Sequence, residues 1–62
     1  MCILKVKRIN GNEVIKFLEF NVDGKGNALV LVDNEIELWD IERVLDTLLG
    51  RNAKEKEYEL CD

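Results

Sequence analysis

Residues Cys2–Ile9 and Asn12–Phe20 are two runs rich in Ile, Val, Leu and Phe, separated by Asn10-Gly11. Asn-Gly between such runs is a strong hairpin signal, because a two-residue type I′ turn needs positive φ at both central positions. With those two residues as the loop, Val6 faces Ile15 and Leu4 faces Phe17 on one side of the sheet. Lys7 then faces Val14, Lys5 faces Lys16 and Ile3 faces Leu18 on the other. Arg8 opposite Glu13 is a favourable cross-strand pair, and Lys5 opposite Lys16 an unfavourable one.

Asp23-Gly24-Lys25-Gly26-Asn27 has the composition of a loop. Ala28–Val32 follows as a short β-branched run, and Asp33-Asn34 offers a second tight turn before Glu35-Ile36-Glu37-Leu38. That turn pairs Leu31 with Ile36 and Leu29 with Leu38 on one face. Val32 meets Glu35, and Val30 meets Glu37, on the opposite face.

Beyond Trp39 the apolar spacing changes. Ile41, Val44, Leu45, Leu48 and Leu49 fall at i, i+3, i+4, i+7 and i+8, the apolar stripe of an amphipathic helix. Asp40 stands at the N-cap position, and Glu42 adds negative charge to the first turn. Trp39 is placed to pack on Val44 as a hydrophobic staple, and Gly50 stops the helix as a C′ residue. Thr47 falls on the polar side. In the tail, residues 53–62, Lys54, Lys56, Tyr58 and Leu60 alternate with Glu55, Glu57, Glu59 and Cys61. This pattern suits an edge strand as well as a charged extension.

The fold class expected is α+β, in one domain over 1–62. It comprises a small antiparallel meander of about four strands, open to a fifth from the tail, with one α-helix packed on one face. If the loop at 23–27 preserves strand parity, the helix covers Leu4, Val6, Ile15, Phe17, Leu29, Leu31, Ile36 and Leu38. The other face then carries Leu18, Phe20, Val22, Val30 and Val32, flanked by Lys5, Lys7 and Lys16 on one side and Glu35 and Glu37 on the other. The alternatives are a β-bulge in the second strand that turns some of these residues inward, and the tail folding over them.

Composition narrows the chemistry. The chain has 62 residues, nine Lys or Arg, thirteen Asp or Glu and a net charge of −4, with no His and no Pro. A chain this short buries only about 60% of its unfolded surface, leaving little core to support an elaborate cleft. The absence of His and Ser removes Ser-His triads, Cys-His pairs and histidine metal clusters. The nucleophiles left are Cys2, Cys61, Thr47 and Tyr58, none with a histidine partner, so an enzyme is not expected and no cofactor is implied. The loop at 23–27 lacks the strand–loop–helix setting of a phosphate loop and the ligand spacing of an EF-hand. No apolar run approaches the ~20 residues of a membrane span, and the N-terminus lacks signal-peptide organisation. A cytoplasmic location and two reduced thiols are therefore the expectation. Cys2 is the one position with a mechanism for a soft or borderline metal, as a thiolate shared across a dimer.

Charge is uneven along the chain, net +2 over residues 1–20 and net −6 over 21–62. Direct nucleic-acid binding through Lys5, Lys7, Arg8 and Lys16 is disfavoured by the acidic whole. The function expected is non-catalytic binding of protein through the uncovered sheet face, by a second copy or a larger protein. The alternatives are an acidic inhibitor presenting Asp33, Glu35, Glu37, Asp40, Glu42 and Asp46 to a nucleic-acid-binding surface, and a metal-binding dimer using Cys2.

Overall fold

The computed structural model describes residues 2–61; Met1, and Asp62 at the end of the tail 53–62, lie outside them. The chain forms strands β1 (Leu4–Arg8), β2 (Val14–Glu19), β3 (Ala28–Val32) and β4 (Glu35–Trp39). Helix α1 (Ile41–Leu49), a 3-10 turn (Arg51–Glu55) and strand β5 (Lys56–Leu60) complete it. The five strands make one antiparallel sheet in the order β4-β3-β2-β1-β5, with the helix on one face: a small α+β fold. The tail is thus an edge strand, paired along its length with β1 from Leu4↔Leu60 to Arg8↔Lys56.

Both hairpins keep the expected register. Leu4↔Phe17, Lys5↔Lys16, Val6↔Ile15 and Lys7↔Val14 join β1 to β2, and Leu29↔Leu38, Leu31↔Ile36, Val30↔Glu37 and Val32↔Glu35 join β3 to β4. Asp33 and Asn34 take φ of 48° and 68°, the two positive values a type I′ turn demands. The first turn differs. Neither Asn10 nor Gly11 has positive φ, and the Gly11 N–H closes a wider turn onto the Arg8 carbonyl. Ile9 gives its N–H to the Glu55 carbonyl at 2.8 Å, so the end of β1 follows the C-terminal segment instead of curling tightly towards β2.

Between the hairpins the register slips. Phe17 pairs with Val30, but Glu19 pairs with Leu29, leaving Leu18 as the extra residue of a β-bulge. One added residue reverses which side chains of the second hairpin share a face with Ile15 and Phe17. The core is accordingly Val6, Ile15, Phe17, Ala28, Val30, Trp39 and Val44, with Leu4, Val32 and Leu48 packed against it. Phe17 is fully enclosed, stacked with Phe20 at 5.2 Å and meeting Trp39 edge-on at 5.8 Å.

The helix starts where its cap requires. Asp40 accepts the Arg43 N–H at 2.8 Å, and Trp39 and Val44 are buried in one cluster as the staple requires. Its rotation about its own axis is not the expected one. Val44 and Thr47 are buried with Leu48 packed beside them, whereas Ile41, Leu45 and Leu49 are exposed. The Tyr58 hydroxyl, projecting from β5, lies 3.1–3.4 Å from the Thr47, Leu48 and Ala53 carbonyls, and its single O–H donates to the nearest, Thr47, at the end of the helix. Gly50 ends α1 in extended conformation (φ −80°), not in the left-handed region. Glycine suits the site because a Cβ would strike the Asp46 carbonyl oxygen and carboxylate.

Cys2 and Cys61, expected as separate thiols, face each other beyond the β1–β5 pairing with Cα atoms 5.5 Å apart and are joined as a disulfide. The edge-strand placement of the tail is the physical reason, since it brings residue 61 beside residue 2 and the Cys61 N–H onto the Ile3 carbonyl.

Candidate functional site

The face turned away from the helix is read directly from the strand registers. One row crosses all five strands as Ile36–Leu31–Lys16–Lys5–Glu59, and a second brings Val14, Lys7 and Glu57 together. With Leu29 and Leu38, the face is apolar over β3–β4, basic over β2–β1 and acidic along β5. Ile36 and Leu38 are 64% and 59% exposed. No element of the described chain lies over them, because the one helix is used on the other side.

The lysine centre is a shallow depression of about 660 Å³, lined by Lys5, Lys7, Lys16, Val14, Leu31 and the β5 carboxylates. Lys5 reaches Glu59 at 3.9 Å, an exposed contact of the kind worth little by itself. Its role is spatial. The carboxylates of β5 flank the lysines on one side from within the same molecule, while the other side of the basic band abuts leucine.

This surface corrects the residue set expected from the sequence. Val30 is fully buried and Val32 half-buried, both against the core, because the bulge at Leu18 reverses their parity. Phe20 lies on the helix side against Phe17 for the same reason, Val22 is half-buried in the loop and Leu18 is half-buried at the bulge. Lys5, Lys7 and Lys16 do occupy the open face. The apolar residues beside them are Leu29, Leu31, Ile36 and Leu38, assigned above to the core. A signal for them was present: a buried Trp39 forces Leu38 and Ile36 to the opposite side of the same strand.

The acidic set does not form one array. Glu35 and Glu37 share the helix side with Val32 and Val30 across β4. Glu37 accepts the Trp39 Nε1–H at 3.2 Å and lies 3.7 Å from the Arg43 guanidinium, which itself sits 4.0 Å over the indole ring. Asp40 is committed to the N-cap, and Asp33 lies in the turn at the far end of β4. Glu42 and Asp46 remain exposed on α1.

Of the residues considered for chemistry, Thr47 is buried, not solvated; the Tyr58 hydroxyl is engaged at the helix end; and Cys2, bonded to Cys61, offers no thiolate to a metal. Among the described residues no group of three or more Cys, Asp or Glu is placed to hold a metal ion, and no helix is long and apolar enough to cross a membrane. No protein-family description, curated protein or solved structure matches the chain.

Proposed function

We propose that the protein is a small non-catalytic binding module that associates through the open sheet face, with a second copy of itself as the first partner. The observation that carries this reading is the pair Ile36 and Leu38, both more than half exposed on an edge strand beside Leu29 and Leu31. Two quantities support it. The accessible surface is 4681 Å², roughly 560 Å² above the ~4,100 Å² typical of a compact monomer of this mass. Covering that excess on both copies removes roughly 1,100 Å² in total, just under the range of specific interfaces. A face whose apolar half is at one side is self-complementary when a two-fold axis runs parallel to the strands over β3. Each β4 then lies across the partner's β2, with Val14 and the stem of Lys16 beneath it, while β1 and β5, carrying Lys5, Lys7, Glu57 and Glu59, stay outside as a polar rim.

An interface of that size predicts a weak dimer, at micromolar concentrations or above. Sedimentation velocity across a concentration series is the test. The wild type should shift towards a dimer as concentration rises. Ile36→Lys and Leu38→Lys, exposed positions that leave the core alone, should remain monomeric with an unchanged circular dichroism spectrum. A wild type that stays monomeric at several hundred micromolar, or a dimer indifferent to both substitutions, sinks the reading.

A further inference from the structure

A second surface lies on the opposite side of the molecule. Ile41, Leu45 and Leu49 recur every four residues along α1 and are 43%, 46% and 78% exposed. They form a ridge about 12 Å long at 1.5 Å per residue. The helix buries a different strip, Val44 and Thr47 with Leu48, so this ridge is surplus to the core. It begins against the loop after β2, where Ile41 side-chain atoms lie 3.3–3.5 Å from the position a Cβ would take on Gly26. Further apolar residues share this side of the sheet: Phe20, 39% exposed beside Phe17, and Leu60, 76% exposed and paired with Leu4.

The charge around the ridge selects what can cover it. On a helical projection Glu42 and Asp46 lie immediately outside Ile41, Leu45 and Leu49. The one basic residue of α1, Arg43, is turned away over Trp39. Two copies meeting ridge to ridge would bring these carboxylates together, and an anionic lipid surface would be repelled by them. An apolar strip flanked by lysine or arginine satisfies both the leucines and the acids.

We infer that the outer ridge of α1, Ile41–Leu45–Leu49 with its Glu42 and Asp46 border, is a docking surface for a basic amphipathic helix of another protein. It is independent of the open sheet face, so a molecule held in a dimer through that face still presents the ridge. The partner's apolar residues pack beside Leu45 and Leu49, and its cationic residues reach Glu42 and Asp46.

The test uses a fluorescein-labelled 18-residue peptide of Leu and Lys, with Leu at helical spacing, followed by anisotropy against the intact protein. A peptide with every Lys replaced by Glu serves as the charge control. The Lys peptide should bind and the Glu peptide should not. Leu45→Ala, and separately Glu42→Lys with Asp46→Lys, should each weaken binding about tenfold or more, as truncation of an interface anchor does. Ile36→Lys, on the other face, should leave binding within about twofold. The inference is overturned by failure of the Lys peptide to bind, by equal binding of the Glu peptide, or by loss through Ile36→Lys but not Leu45→Ala. A wild-type dimer dissolved by Leu45→Ala overturns it too, because the ridge would then belong to contacts between copies.

Discussion

The Cys2–Cys61 link closes nearly the whole chain into a loop, with a sequence separation of 59. Its contribution can be worked out from that separation. Cross-linking residues this far apart removes denatured-state entropy equivalent to about 4 kcal/mol at 25 °C on the chain-entropy relation. A chain of 62 residues has a total stability on the order of 3–9 kcal/mol, so removing the link takes away a large share of it. The native sheet does not depend on the link, because β5 still pairs with β1 from Leu4↔Leu60 to Arg8↔Lys56 and Tyr58 still holds the helix end. Cys2→Ala/Cys61→Ala should therefore unfold far more readily, and it folds to the same spectrum in buffer where the intact protein's stability exceeds the share the link supplies. With a urea m-value of ~1 kcal/mol/M for a domain this small, the midpoint should fall by roughly 3–4 M. Trp39, the single tryptophan and 3% exposed, reports the transition by fluorescence. Wild type treated with dithiothreitol should reproduce the variant. A midpoint shift below about 0.5 M in the same experiment refutes the argument, since the chain-entropy relation gives about 4 kcal/mol at this separation.

Other outcomes are expected from the same contacts. Tyr58→Phe removes the donor to the Thr47 carbonyl and should cost about 1 kcal/mol in urea unfolding, with faster amide exchange in the last turn of α1. Gly50→Ala places a Cβ against the Asp46 backbone and should cost about 1–3 kcal/mol in the same assay; an unchanged midpoint contradicts the steric reading of this helix end. The Lys25 N–H beside Asp23 holds its carboxyl below the usual value of 3.8; partial desolvation opposes this, and the Asn27 side chain adds to it. A lowered carboxyl stabilises the folded form above the unfolded-state value, and that contribution is lost as pH falls through the folded one. The stability difference between wild type and Asp23→Ala should thus hold from pH 7 to about 3.8 and close only below that, as read by thermal unfolding across a pH series.

Local signals carried much of the fold. Both hairpin registers follow from where each turn lies and from strand alternation, and the helix follows from its cap, staple and spacing. What failed was the relation between the hairpins. That relation rests on one extra residue at Leu18, and an inserted residue inside a strand leaves no mark in composition. Because the side-chain period is two, the slip exchanged Val30 and Val32 for Leu29 and Leu31 on the open face. Trp39 held the missing information. A staple onto Val44 requires the indole on the helix side, which requires Leu38 on the other, and that is incompatible with placing Leu38 in the core. The rotation of α1 was hidden for a related reason. Its five apolar residues span more of the helix than this narrow sheet covers, and only packing decides that Val44 and Thr47 go inward while Leu45 and Leu49 remain out. The cysteine pair was legible only once the tail had been placed as β5.

The sulfur bridge also changes what a cut in this chain means. Residues 2 and 61 are covalently joined, so every backbone bond between them lies within a closed ring. A protease acting at the exposed Gly24-Lys25 segment opens the ring without releasing a piece, and the strands on either side of the cut remain bonded through sulfur. Such a nicked molecule migrates as one species until a reductant is added and as two fragments afterwards. With both halves still tethered, the partner-facing surfaces on the two sides of the sheet persist through a first proteolytic event.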